Sequence, residues 1–468
     1  MRLGDLTIGA GGKRRSARNT IEDDMGFLQN TVGAAAIAAS LTAGFPATAS
    51  AVEVERVVSP GGIEAWLVSE PAVPLVALDF AFRGGSAQDE DGKEGTANLL
   101  STLLDEGAGE LDSEAFQTRL EETAVRLSFN AGRDSFSGEM RTLTRNLEDA
   151  IELTRLALTE PRFDEEAVQR MRQAVSAGVR SRQNDPQTIA SKTWFETAYP
   201  EHPYGRPVNG SLETIGAITA DDLRGYKDRV MTRDNLIVAA VGDIEAEALG
   251  QLLDAVFGDL PETGELKPVA DVEPTALGRQ IVVDLDVPQA TIMAGTEGLA
   301  RDDEDFIPAY VVNHILGAGS FSSRFFREIR EKRGLAYGAY SQMAPLDHSA
   351  LFFAGTATQN ARAKESLDII RAEIARMAEE GPTEAELEKA KSYLVGAYAL
   401  RFDTSGKIAS QLVALQMDDL GIDYFTRRND LVRAVTIEDV RRAARRMLED
   451  PLLTVVVGRP DGLASSEG

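Results

Sequence analysis

The chain has 468 residues, is 43% hydrophobic and 26% charged, and carries a formal net charge of −26. That length suits several globular domains, and that charge opposes binding to nucleic acid or anionic membranes. With no cysteine, disulfides, iron–sulfur clusters, thiolate zinc sites and cysteine nucleophiles are all excluded.

Lys13, Arg14, Arg15 and Arg18 precede the Ala-rich run "TVGAAAIAASLTAGFPATASA". Residues 1–50 therefore read as a signal peptide or a disordered leader, with cleavage after Ala49 or Ala51. Export to the periplasm or a similar compartment is expected, with the cytoplasm as the alternative. The apolar run is too short to span a bilayer, so no stable membrane span is expected.

Strand-like alternation follows in "VEVERVV" and "PLVALDFAF". Helical periodicity covers Glu94 to Glu106, Asp112 to Glu122, Leu143 to Leu158 and Asp164 to Arg182. A hairpin-like pair, "RLSFNA" and "SFSGEMR", stands between the second and third helices. "NLIVAAVGD" closes the first half as a buried strand.

The second half repeats this order. Pro74, Thr219 and Gly242 have counterparts in Pro288, Thr436 and Gly458, offset by 214, 217 and 216 positions. A period this long marks a duplicated α+β unit, not a solenoid. The fold class is α+β: two homologous halves, each a largely antiparallel β-sheet packed with α-helices. The expected divisions are 51–257, a linker at 258–278, 279–460 and a tail at 461–468. The linker is rich in Pro, Gly and acid and reads as a flexible joint of a clam-shell.

Three stretches carry a family resemblance: "FRGGSAQDEDGKEGTANLLSTLLDEGA", "HPYGRPVNGSLETIGAITADDLRGYKDRVMTRDNLIVAAVGD" and "FSSRFFREIREKRGLAYGAYS". Together they resemble the pitrilysin/insulinase family of zinc peptidases, in its bacterial and mitochondrial-processing-peptidase branch, over about residues 52–460. The family's catalytic unit is His-x-x-Glu-His on a helix with a distant Glu. Two imidazoles at i and i+4 share a helical face and reach one zinc ion, and the Glu between them serves as general base. Here Asn98 and Thr102 stand at the two His positions, Ser101 at the base, and Gly178 at the distant Glu. Neutral amide and hydroxyl oxygens are poor zinc ligands, so no metal is expected on this chain.

The resemblance also implies an Arg and a Tyr, seven residues apart in the second half, that bind substrate and stabilise the oxyanion formed at the peptide carbonyl. Arg330 and Tyr337 fall there. From their residue types alone they read as a surface arginine pairing with Glu328 or Glu331 and a half-buried strand tyrosine. The resemblance thus implies a non-catalytic, substrate-binding subunit in a heterodimer with a homologous zinc-bearing chain. The substrate would be an extended peptide, paired to a sheet edge. Alternatives are a scaffold subunit of a larger complex and a peptide-binding protein without proteolysis. "GAGSFSSRF" lacks the Gly-Lys-Ser/Thr ending of a nucleotide loop and reads as a turn in which Ser320, Ser322 or Ser323 caps a helix. His202, His314 and His348 have no partner at metal-ligand spacing and read as structural.

Overall fold

A computed structural model describes residues 53–466. The leader, with its expected signal peptide, lies outside the described residues. The first sheet holds β1 (Glu55–Val58), β2 (Glu64–Ser69), β3 (Leu75–Arg83), β4 (Arg126–Ala131), β5 (Ser135–Leu143) and β6 (Leu236–Gly242). Its spatial order is β1-β2-β6-β3-β5-β4, with β2 parallel to β6 and the other pairs antiparallel. The second sheet holds β7 (Gln280–Asp284), β8 (Gln289–Glu297), β9 (Ala336–Leu346), β10 (Ser349–Gln359) and β11 (Leu453–Gly458) in the order β7-β11-β8-β10-β9. Here β7 is parallel to β11, as β2 is to β6, and the other pairs are antiparallel. With β1 set aside, the two sheets have the same topology strand for strand. The α+β class and the two homologous halves are thus present in the fold.

Side-chain alternation along β3 explains how each sheet is covered. Val76, Leu78, Phe80 and Phe82 face one way, into a core built with helices of the same half. Ala77 and Ala81 face the other way. That second face is covered by the helix Ser405–Met417, which belongs to the second half and buries Ala409, Leu412 and Val413 against Trp66, Val68, Ala239 and Val241. The exchange is reciprocal. The helix Pro186–Ala198 of the first half lies on the second sheet, where Trp194 packs against Met293, Phe353, Leu453 and Val455. Its indole nitrogen donates to the carbonyl of Leu453 (3.0 Å). Small residues on the exchanged face of β3 allow the helix backbone to come close, and burial on both faces makes the strand apolar except for Asp79 and the terminal Arg83.

Polar groups reinforce both clasps. Arg83, at the end of β3, donates to the carbonyl of Met417 (2.8 Å) and to Asp419 (2.8 Å), so a cation sits at the C-terminus of the exchanged helix. Asp79 accepts from Ser410 on that helix (2.5 Å), and burial pushes its carboxyl up to about 6. The hairpin tips of the two sheets also meet. Asp134 accepts from the Tyr204 hydroxyl (2.7 Å), which in turn accepts from the backbone of His348 (2.9 Å).

Segment 258–278 differs from the free joint its composition suggests. It has no helix or strand, yet it is tied along its length. Lys267 exchanges two hydrogen bonds with the Gln88 side chain (2.7 and 3.0 Å). His202 bonds the carbonyl of Ala270 (2.9 Å), and Val272 and Thr275 donate to the backbone of His348 and Ala198 (both 2.9 Å). Val269, Val272 and Leu277 pack into the cluster around Trp194. The tail is likewise tied beside β7, through reciprocal backbone bonds between Ser466 and Gln280.

Candidate functional site

Asn98 and Ser101 lie on a short helix, Thr96–Ser101, with Thr102 as its C-terminal cap. Leu99, Leu100, Leu103 and Leu104 are fully buried in the first core. The helix starts where Asp89, itself buried, accepts from the backbone N–H groups of Gly95 (2.8 Å) and Ala97 (2.9 Å). Burial pushes this carboxyl up to about 7, against the opposing pull of those donors. Gly95 has φ +94, and a Cβ there would stand 3.0 Å from the backbone of Gly210. Thr214 completes the join by donating to the carbonyl of Glu94 (2.8 Å). The long "HPYGRPVNGSLETIG" stretch therefore holds the start of this helix in place.

The helix ends earlier than the expected Glu106. The Ser101 hydroxyl donates to the carbonyl of Asn98, and that of Thr102 to Leu99 (both 2.8 Å). Hydroxyls that bond back three residues tighten the last turn and compete with continued α-helix. Gly178 lies on the helix Glu165–Arg182, which touches the helix Thr96–Ser101, and a Cβ there would meet nothing within 4 Å.

This donor set does not fit zinc. Two hydroxyls are spent on backbone carbonyls, the third position offers an amide, and the fourth has no side chain. Flanking carboxylates are committed elsewhere. Asp89 caps the helix, Asp105 accepts from Gln117 (3.3 Å), and Glu106 pairs with Arg170 and accepts from Ser113 (2.5 Å). Among the described residues no group of three or more His, Cys, Asp or Glu is placed to hold a metal ion. The chemistry of a zinc peptidase centre is absent from this half.

Arg330 and Tyr337 lie in the second half. Arg330 is exposed on the π-helical turn Phe326–Glu331, and Tyr337, 85% exposed, is the second residue of β9. The expected pairing of Arg330 with Glu328 or Glu331 does not form. Glu328 is engaged by Lys332 (2.7 Å) and Arg333 (2.9 Å); against the upward push of burial, their hydrogen bonds and charges hold its carboxyl down at about 2. The guanidinium of Arg330 instead lies over the rings of Phe326 (4.9 Å) and Phe321 (6.0 Å). Tyr337 is far more open than a half-buried strand residue.

In the Gly-rich stretch, Ser323 is the residue that caps, its Oγ accepting from the backbone of Phe326 (3.2 Å). A Cβ on Gly317 would come within 2.3 Å of the Ser341 backbone, so this glycine serves close packing. His314 is buried and stacked on Tyr393 (5.0 Å), and burial pushes its ring down to about 4. His348 bonds Asp271 (3.1 Å). All three histidines thus serve packing or tethering. Phe321, which bears on Arg330, was invisible to spacing arguments because only the fold sets its ring beside that guanidinium.

Comparison with known proteins places the fold in a family. Residues 66–211 match the family model described as insulinase (peptidase family M16), and residues 217–394 match the one described as peptidase M16 inactive domain. An uncharacterized zinc protease of Streptomyces coelicolor is 28% identical over 88% of this chain and 91% of its own length. The protein named non-peptidase homolog YmxG of Helicobacter pylori is 26% identical over 71% of this chain and 77% of its own. Among solved structures, a peptidase M16 inactive domain from Pseudomonas fluorescens superposes with a TM-score of 0.82 at 26% identity, covering 88% of this chain and 99% of that one. With both halves matched in order and the sheets duplicated, the chain belongs to the M16, or insulinase, peptidase family.

Proposed function

We propose that this chain is the non-catalytic, substrate-binding subunit of a two-chain zinc metalloendopeptidase. A homologous chain brings the zinc, which supplies the Lewis acid for peptide hydrolysis. This chain brings Arg330 and Tyr337 to the partner's site. The guanidinium fork binds peptide carbonyl or carboxylate oxygens, and the phenol donates to the oxygen that gains charge as the carbonyl is attacked. The observation that carries the reading is an asymmetry. The four ligand positions are emptied while Arg330 and Tyr337 stay exposed, and among the described residues Arg330 has no carboxylate partner. An extended peptide adding to the outer edge of β4, the outermost strand of the first sheet, would run beside the helix Thr96–Ser101. The expected place of action is the periplasm or another exported compartment, on the strength of the leader.

The name of the Helicobacter relative, a non-peptidase homolog, favours a second reading, a role without proteolysis. One experiment separates the two. This chain is mixed with a zinc-bearing M16 chain, and cleavage of a quenched fluorescent peptide is followed. Arg330→Ala and Tyr337→Phe should each lower kcat by about a hundredfold or more, on the order of one lost oxyanion donor, with dimer formation unchanged. Cleavage that ignores both substitutions refutes the proposal. Stoichiometric zinc on this chain alone, with cleavage, refutes its non-catalytic role.

A further inference from the structure

The chain holds 49 Lys and Arg against 75 Asp and Glu, yet segment 324–333 reverses that balance. It carries Arg324, Arg327, Arg330, Lys332 and Arg333 with only Glu328 and Glu331. Most of these cations are accounted for. Arg324 is buried in a bidentate pair with Glu386 (2.9 and 2.8 Å). Lys332 and Arg333 share Glu328, and Arg327 stands 3.7 Å from both Glu328 and Glu386. Arg330 remains, with no carboxylate within 4 Å among the described residues.

Its surroundings are aromatic. Phe321 and Phe326 meet edge to face with centroids 4.9 Å apart, and the guanidinium of Arg330 lies against both. Phe326 is buried, but Phe321 is 64% exposed. A guanidinium held over rings loses side-chain freedom, while its N–H fork stays free to take a carboxylate in a planar pair. An exposed phenylalanine beside it offers apolar area to whatever pairs with that fork.

We propose that Arg330 and Phe321 form a recognition site for a peptide segment in which a carboxylate neighbours an apolar side chain. This rests on the reading of Arg330 as a substrate-binding residue, and adds the chemistry of the substrate. The overall charge of −26 would by itself favour basic peptides. That long-range field is screened beyond about 8 Å at physiological salt, so pairing at contact decides. Local charge complementarity therefore selects acidic–apolar peptides.

The test uses the full chain and three labelled peptides of one length at physiological ionic strength. Each has a central Phe, flanked by Asp and Glu, by Asn and Gln, or by Lys and Arg. Fluorescence anisotropy should show the acidic peptide binding at least about tenfold tighter than the basic one, the scale of a charge-assisted pair. Arg330→Ala and Phe321→Ala should each remove most of that preference, with unchanged circular dichroism, while Phe321→Tyr keeps it. The proposal is overturned if the basic peptide binds as tightly, or if Arg330→Ala leaves the acidic peptide's affinity intact. Cleavage with the zinc-bearing chain separates the two levels. If cleavage needs Arg330 but the peptide series shows no acidic preference, only the substrate class falls. If neither depends on Arg330, both fall.

Discussion

The exchange of helices between halves makes a quantitative prediction about cooperativity. Leu412 is fully buried on the exchanged helix Ser405–Met417, against the first sheet. Leu412→Ala removes its transfer free energy and leaves a cavity, about 3 kcal/mol within the usual range for such sites. The chain's two tryptophans report on the two clasps separately: Trp66 lies under this helix, and Trp194 lies in the reciprocal clasp on the other sheet. Trp194→Phe leaves Trp66 as the sole indole, and Trp66→Phe leaves Trp194. Urea unfolding of each background is followed by fluorescence, with and without Leu412→Ala. With an m-value of about 3 kcal/mol/M, the midpoint should fall by about 1 M. Because each half is covered by a helix of the other, both indoles should report that same fall. If Trp66 shifts while Trp194 keeps its original midpoint, the halves unfold independently and the clasp does not couple them.

Taken together, the buried Asp79, Asp89 and His314 should make stability fall as pH rises from about 4 to about 7. Buried Asp79 and Asp89 are held up to about 6 and about 7, so the stability they contribute is present below about pH 4 and lost as pH rises through those values. His314 is held down to about 4, so its contribution is present above about pH 6.5 and lost as pH falls through 4. Asp89→Asn should therefore destabilise less at pH 8 than at pH 5, and equal urea midpoint shifts at the two pH values would contradict this. Arg324→Met should cost about 3 to 5 kcal/mol, because Glu386 loses its buried partner, and adding Glu386→Gln should recover part of that; a loss below about 1 kcal/mol by denaturation would place the pair on a tolerant surface. Replacing the emptied positions together, Asn98→His, Ser101→Glu, Thr102→His and Gly178→Glu, should create a site for one zinc. Metal analysis after dialysis and a zinc-dependent rise in melting temperature would show it, and a folded variant without zinc would mean the four positions do not converge.

Local order was largely legible in the sequence. The period-2 pattern of β3 gave the strand, and Asp112 marked the start of the helix Ser113–Glu122 that it caps. What could not be read was who covers whom. The helix Pro186–Ala198 buries Ala190, Trp194 and Ala198, a stripe at i, i+4 and i+8 that any sheet could accept. Only tertiary structure assigns it to the other half. Composition likewise misleads at 258–278, because its tethers are backbone hydrogen bonds and scattered valines that leave no periodic trace. At the candidate site, motif spacing pointed to Arg330 and Tyr337, and both are exposed. The stacking of Phe321 and the diversion of Glu328 to Lys332 and Arg333 required the fold.

The helix Thr96–Ser101 shows how packing alone can hold this frame. Leu99, Leu100, Leu103 and Leu104 are fully buried, each of a size whose loss would cost about 2 to 5 kcal/mol. Gly95, Gly210, Asp89 and Thr214 fix where the segment begins, and a side chain on either glycine would collide with backbone. None of these groups depends on a bound metal. Asn98, Ser101 and Thr102 are the residues between those anchors, and Gly178 faces open space on the neighbouring helix. Core packing alone holds the leucines and glycines in place. The fold of this half therefore needs no metal to hold the helix Thr96–Ser101 in place, and under the proposed function the exposed Arg330 and Tyr337 are the groups left to act on another chain's peptide.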